Sequence, residues 1–581
     1  MRAGRIRFIG IIVAAIALLY AARLYYVQII KGSAYRMQAD AQYVSQSAPT
    51  FNRGSIYFTT KDGQELPAAT LDTGYTVAID PEILKNPEDD YNLLSNILPL
   101  NSDKFMAQAT KAHDAYEVIA DKVSNSVKSA ISALDVSGVE ISEEQWRFYP
   151  ASTTASHVIG FVGYDESGDS LTGQYGLESY YNDVLSRDTD GTFVNFFAEL
   201  FANIQTALSP NGAVEGDVVT TIEPTVENEL EHELAVVLKE YSPDLDGGII
   251  MDPKSGAIYA MGSLPTFDPN KASSYATDTV FISGNKEEQS VFINPLVEDT
   301  FEMGSIIKPI AMSVALETGS VTPTTTYNDT ACVTIDNAKI CNYDDTGRGK
   351  ITMQTVLNDS LNVGMAYVES QTGREAMKDG LTKFEFGQKT GVDLPDEVAG
   401  QVANLNAPRD LELATAAFGQ GIAMTPIETV RALAALANGG ILPDPHIVSA
   451  IQYPTGISKV LTYDSTDRAI STTTAAAITQ MLINVNDQGE TPINPAAYLA
   501  HYTTADKTGT AQISNPAGGG YYTDRVLHSF FGYFPASAPR FIIFLFAVNP
   551  KGQDFASHTL LQPFIDLRNF LISYYDIPPD R

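Results

Sequence analysis

Basic residues are in short supply. Lys and Arg total 37 against 70 Asp and Glu, so the 581-residue chain carries a formal charge of −33. Binding nucleic acid needs a basic face to neutralise phosphates, and this balance argues against it. The excess carboxylates read instead as a surface that keeps the chain soluble and unassociated. Histidine is sparse too. His113, His157, His232, His446, His501, His528 and His558 are scattered without the spacings that hold a metal, so neither a metal nor a cofactor is expected. His528, just before Ser529-Phe530-Phe531, reads as a satisfied structural residue. Internal repeats and low-complexity tracts are lacking as well.

Cysteine occurs twice, at Cys332 and Cys341. Between them Val333-Thr334-Ile335 and Ala338-Lys339-Ile340 flank Asp336-Asn337, a hairpin with a two-residue turn. Counting outward from the turn puts the cysteines opposite each other at a non-hydrogen-bonded pair, where Cα atoms approach closest. That separation suits a cross-strand disulfide, which an extracytoplasmic location permits. The alternative is two small buried apolar side chains.

The N-terminus differs in character from the rest. Arg2, Arg5 and Arg7 precede Phe8 to Ile30, interrupted only by Arg23, which is long enough to span a bilayer as one helix. Arg23 can snorkel, and Tyr25 and Tyr26 suit the outer interface. The arginines place residues 1–7 in the cytoplasm, residues 8–30 in the plasma membrane as a single span, and the remainder outside. Tyr20 sits where cleavage before Arg23 would want a small residue, which disfavours a cleaved signal peptide.

A linker over 31–50 leads to a strand-rich region, 51–222. Phe51 to Tyr57, the turn Lys61-Asp62-Gly63-Gln64 and Tyr75 to Ile79 open it, and Pro81 to Leu134 has mostly helical spacing. A boundary near Thr220 to Asp246 starts a second domain, 223–578. Glu223-Pro224 opens a helix with Val226, Leu230, Leu234 and Val237 on one face. Gly247 to Pro253 and Ala257 to Met261 form a hairpin. Helices are expected over Ile306 to Leu316, Met353 to Val368, Pro426 to Ala437, Thr473 to Val485 and Leu560 to Tyr574, with strands at Ser529 to Pro535 and Phe541 to Val548. Strands at both ends with helices between imply an α+β domain whose antiparallel sheet joins its first and last segments.

Three phrases carry the chemistry. Ser305-Ile306-Ile307-Lys308 opens an apolar helix, so Lys308 returns to the face of Ser305 one turn on, and the helix end offers N–H groups to a developing negative charge. Ser305 is the expected nucleophile and Lys308 its base, kept neutral by burial and by a second cation, Lys507. Ser360-Leu361-Asn362 supplies a hydroxyl to relay protons and an amide to hold a substrate amide. Lys507-Thr508-Gly509-Thr510 reads as a strand edge. There Gly509 admits a substrate backbone, Thr508 and Thr510 bind a carboxylate, and the N–H groups of Thr510 and Ser305 form an oxyanion hole. Accidental matches also occur. Ser283 to Lys286 lacks an apolar face, Ser209-Pro210-Asn211 is turn-like, and Lys389-Thr390-Gly391 runs into a turn, so all three are set aside.

With these motifs the chain resembles the class B penicillin-binding proteins, peptidoglycan D,D-transpeptidases, over nearly its whole length. Further similar phrases are Arg53 to Ile56, Gly248 to Met261, Pro265 to Asn270, Phe386 to Gly391 and Phe418 to Gly421; Met303 departs from a common Pro. The resemblance implies a dimerisation or pedestal domain followed by a transpeptidase domain. It implies a serine acyl-enzyme formed from D-Ala-D-Ala stem peptides, captured by an amine and trapped by β-lactams. The strand-rich region has no paired-carboxylate site, so the glycan strands would come from a partner polymerase in the membrane, of the elongation or division machinery. A β-lactamase, a D,D-carboxypeptidase and a penicillin-sensing receptor are the rival readings.

Overall fold

The computed structural model describes residues 51–165, 170–187, 215–285 and 287–581. The expected span at 8–30, with residues 1–7 and the linker 31–50, lies outside the described residues, as do Ser209-Pro210-Asn211 and Lys286. Among the described residues no helix is long and apolar enough to cross a membrane.

Strand β1 (Ile56–Thr59) turns through Lys61–Gln64 into β2 (Glu65–Ile79). At 15 residues β2 starts well before Tyr75 and serves several partners. Its first part pairs with β1, and its second part is flanked by β3 (Glu117–Val123) and β4 (Val139–Phe148), all antiparallel. The stretch expected to be helical, 81–134, holds three short helices but also β3. That strand is mostly half-buried or exposed, so it lacks the strict alternation that marks a strand in sequence. Strand β5 (Asp217–Thr220) lies parallel to β1, and Val448–Gln452 and Ser458–Val460 extend the sheet beyond it. One seven-stranded sheet therefore runs across the boundary expected near residue 222.

The Arg53 phrase meets Glu178 in this region. Glu178, fully buried, accepts from Arg53 Nε and from Arg147 Nε at 2.6 Å each. Arg147 Nη1 also donates to the Gly54 carbonyl at 2.7 Å. Three distant segments are tied by one carboxylate.

Helix α1 (Pro224–Tyr241) starts where expected. Glu223 caps it by accepting from Val226 N at 2.7 Å, and Pro224 fits the first turn. Its buried Val226, Leu230, Leu234 and Val237 cover one face of a second sheet, each contributing roughly 1.5–3 kcal/mol. That sheet uses β6 (Leu245–Met251) and β7 (Ile258–Leu264) from the start of the domain. The middle of the chain supplies helix α2 (Lys308–Glu317), the hairpin β8 (Cys332–Ile335) and β9 (Ala338–Cys341), and helices α3 (Met353–Asn358), α4 (Asn362–Thr372), α5 (Pro426–Ala437) and α6 (Thr472–Val485). From the end come β10 (Ala505–Ser514), β11 (Tyr521–Phe534), β12 (Phe541–Val548) and helix α7 (Leu561–Tyr574). The order β10–β11–β12–β6–β7 is antiparallel throughout, with first and last segments joined as Phe544 opposite Ile249. All eight residues of β12 are buried, as its continuous apolar run requires of a strand covered on both faces. Helices α1 and α7 cover one face and the remaining helices the other, leaving β10 as an edge.

Two outcomes follow. Glu178→Leu strands two buried guanidinium groups and should cost about 3–5 kcal/mol in denaturant unfolding; a loss under about 1 kcal/mol would contradict the cluster. Burial pushes the carboxyls of Glu231, Glu298 and Glu428 up to about 7. Their folded values lie above the unfolded one near 4.5, so this stabilisation is complete below pH 4.5 and lost as pH rises through 7. Thermal unfolding should therefore occur at a lower temperature at pH 8 than at pH 5.5, and an equal or higher midpoint at pH 8 contradicts the assignment.

Candidate active site

Ser305 stands in a tight 3-10 turn, Gly304–Ile307, that runs directly into α2. The backbone N–H of Lys308 donates to the Ser305 carbonyl, and side chains three apart eclipse in this geometry, so Lys308 stacks over Ser305. The turn is pinned from three sides. Ser529 Oγ donates to Met303 O at 2.7 Å, and Gly304 N donates to Gly419 O at 3.0 Å. Glu302 accepts from Gly421 N and from the Tyr521 hydroxyl, both at 3.0 Å. A Cβ on Gly419, at φ +81°, would lie 2.1 Å from the Gly304 carbonyl oxygen. Only glycine allows that approach.

Lys308 is fully buried. Its Nζ donates to the Ser360 carbonyl at 2.5 Å and lies 3.2 Å from Ser360 Oγ. Burial, reinforced by the neighbouring Lys507 charge, holds the Lys308 amine well below the usual lysine range. The single helix expected over 353–368 is broken here. Ser360 adopts φ +53° between α3 and α4, and its carbonyl and hydroxyl both meet the same amine. A non-glycine residue in this region costs on the order of 1–3 kcal/mol, a strain found mainly where a site demands it.

Asn362 opens α4, and its Nδ2 donates to the Cys341 carbonyl at 3.1 Å. Cys341 pairs with Cys332 across β8 and β9, and a disulfide joins them with Cα atoms 4.1 Å apart. Their sulfurs lie near Asp345 but, being bonded to each other, offer no thiolate to an ion.

On the opposite wall, β10 carries Lys507, buried, with Nζ donating to Thr508 O at 3.0 Å. Thr508 and Thr510 are half-buried, and Thr510 Oγ1 accepts from Ala556 N at 3.3 Å. Gly509 has another reason for being glycine than the one expected. A Cβ there would stand 2.3 Å from Ser529 Oγ and 2.9 Å from Met303 O, so it lets the strand pack onto the Ser305 turn rather than onto a ligand. Likewise a Cβ on Gly304 would lie 2.8 Å from Thr510 O, which brings the backbones of Ser305 and Thr510 side by side.

Ser305, Lys308, Ser360 and Lys507 are thus gathered at the junction of the edge strand with α2 and the α3–α4 break. A cavity of about 800 Å³ flanks the turn, lined by Glu302, Gln512 and Ser514 among others. Glu302, Tyr521 and Ser529 escaped the sequence reading, although the two glycines of Phe418 to Gly421 hinted that something approaches that loop closely. Of the accidental motifs, the described Ser283 and Thr390 are engaged in other contacts, although Ser283 also lines that cavity. Ser283 is buried, bonded to Asp244 and to Asn549 Nδ2 at 3.2 Å, while Thr390 binds Glu397 through its N–H and hydroxyl at 2.6 and 2.7 Å. His528 is buried with Nδ1 2.8 Å from Thr559 Oγ1, and burial pushes it down to about 4.

Comparison with known proteins adds an independent line. A family model for the penicillin binding protein transpeptidase domain matches residues 247–565, and one for the penicillin-binding protein dimerisation domain matches residues 50–200. Stage V sporulation protein D of Bacillus subtilis is 30% identical over 97% of this chain and 84% of its own length. A probable peptidoglycan D,D-transpeptidase, PbpC of Pseudomonas aeruginosa, is 26% identical over 96% and 93% respectively. Penicillin binding protein 3 of Mycobacterium tuberculosis, solved with aztreonam, superposes with a TM-score of 0.66 at 23% identity, covering 92% of this chain and 98% of that one.

The packing around Gly509 yields one outcome. Gly509→Ala must push β10 off the Ser305 turn, costing about 1–3 kcal/mol of stability in denaturant titration. A variant as stable as the wild type would show that the strand and turn do not meet this closely.

Proposed function

This chain belongs to the class B penicillin-binding proteins, and from that premise we propose that Ser305 is the acylated nucleophile of a peptidoglycan D,D-transpeptidase. The observation that carries the reading is the buried amine of Lys308, stacked over Ser305, bonded to Ser360 and faced by a second buried ammonium. Neutral Lys308 takes the Ser305 proton as Oγ attacks the carbonyl of the penultimate D-alanine. Negative charge on that oxygen is met by the N–H groups of Ser305 and Thr510, each donor worth about 3 kcal/mol to the transition state. The C–N bond breaks, the proton passes from Lys308 through Ser360 to the leaving amine, and the terminal D-alanine departs. The ester on Ser305 is then attacked by an amine of a neighbouring strand, whose proton returns by the same route as the cross-link forms.

In this reading Thr508 and Thr510 hold the terminal carboxylate beside the Lys507 charge. Asn362, whose Nδ2 is engaged with Cys341 O, keeps its oxygen for a substrate N–H. β-Lactams would acylate Ser305 in the same way. Residues 51–222 form the pedestal and 223–578 the transpeptidase domain. Residues 8–30 anchor the chain in the plasma membrane with 1–7 in the cytoplasm, so that the catalytic domain works on strands delivered by a membrane glycan polymerase.

Labelling with a fluorescent penicillin tests the assignment. Ser305→Ala should abolish labelling. Lys308→Ala should slow acylation at least about a hundredfold, the usual contribution of a general base, while thermal stability stays near wild type. Full labelling of Ser305→Ala, or an unchanged rate in Lys308→Ala, contradicts the proposal.

A further inference from the structure

The two walls of the site touch each other through a pair of exposed aromatic rings. Tyr343 and Phe555 are 58% and 41% exposed, yet their ring centroids lie 5.7 Å apart in an edge-to-face contact. Each ring is fastened to one side of the reacting groups. Tyr343 follows the disulfide hairpin directly. The preceding Asn342 accepts from Val363 N at 3.1 Å and donates to Asp329 at 3.1 Å, while Cys341 O receives Asn362 Nδ2. Tyr343 therefore rides on the N-terminus of α4, two residues past Ser360. Phe555 precedes the short turn Ala556–His558, whose first N–H donates to Thr510 Oγ1 on β10. The contact thus closes a ring of structure running Ser360–α4–hairpin–Tyr343–Phe555–Ala556–Thr510, which links the start of α4 to the edge strand β10. On its outer side Tyr343 is backed by Arg348, whose guanidinium lies 5.8 Å from the ring centroid and is itself paired with Asp344 and Asp359.

Neither ring belongs to the buried core, so this edge-to-face contact, worth about 0.5–1.5 kcal/mol, can open without disturbing one. Building on the transpeptidase reading above, we propose that Tyr343 and Phe555 are specificity-determining residues, forming a bar across the cleft that acyl donors with a bulky group next to the reacting carbonyl must part. A compact donor, extended along β10, passes beneath the closed pair. A donor with a large side group reaches Ser305 only from the open state. The bar exists only as a pair, so removing either ring removes it altogether.

Second-order acylation rates of Ser305 measure this directly, using 6-aminopenicillanic acid as the compact donor and a penicillin with a large aromatic side group as the bulky one. The ratio of bulky to compact rate is compared among wild type, Tyr343→Ala, Phe555→Ala and the double variant. Each single variant should raise the ratio about two- to tenfold, the range an edge-to-face aromatic contact is worth, and the double variant should exceed neither. Tyr343→Phe retains the ring and should keep the wild-type ratio. An unchanged ratio in the alanine variants, a fall in the bulky rate, multiplying effects in the double variant or a changed ratio in Tyr343→Phe would each overturn the proposal. The compact donor reports whether every variant still folds a working site. If no penicillin labels wild-type Ser305, the transpeptidase reading fails and takes this inference with it, whereas labelling with an unchanged ratio sinks the inference alone.

Discussion

Two ammonium-bearing side chains held out of water, Lys308 and Lys507, set the terms for everything around them. An isolated charge is costly to bury, and two of like sign side by side are worse. Burial and the neighbouring Lys507 charge hold the Lys308 amine well below the usual lysine range, and its hydrogen-bond partners are the carbonyl and hydroxyl of Ser360. A neutral amine donates to that carbonyl and keeps a lone pair. The strained turn at Ser360 makes sense in this light: a regular helix through residue 360 would have spent its carbonyl on the backbone four residues on.

The fold supplies the burial. Lys507 comes from the edge of a five-stranded sheet, and Lys308 from a helix laid against the same sheet. Both walls are anchored by polar side chains whose roles are positional. Glu302 ties the Ser305 turn to the β10–β11 hairpin and to the Phe418–Gly421 loop, and Ser529 donates to the Met303 carbonyl. Met303, where the resemblance would put proline, has a buried side chain and a carbonyl that accepts from Ser529 Oγ.

How much of this was legible depended on how local the physics is. The hairpin between the two cysteines, the capped helix at Glu223 and the buried strand at Phe541 to Val548 follow from patterns within a dozen residues, and they stand where the residues put them. The choice of Ser305 over Ser283 also came from local context, since an apolar helix follows one and not the other. What escaped was set by tertiary contact. The break at Ser360 lies inside a helical pattern and is stabilised by Lys308, 52 residues away. Strand β3 is half exposed, so nothing in its alternation distinguished it from the helices on either side. Gly509 was read for what a ligand needs, whereas its neighbours Ser529 and Met303 explain it. The pairing of Val448–Gln452 with β5 carries one sheet across a boundary that composition alone would draw near residue 222.

The state of the Lys308 amine can be observed rather than inferred. Lysine labelled with carbon-13 at Cε, introduced into the protein and assigned by comparison with a Lys308→Arg variant, reports each amine's titration by NMR. Lys308 should titrate well below the ordinary 10.5 and shift upward when Lys507 is replaced by methionine, because the neighbouring positive charge is gone. A Lys308 signal that titrates near 10.5 in the wild type, or fails to move in Lys507→Met, would mean that the amine is an ordinary charged lysine and cannot serve as the base for Ser305.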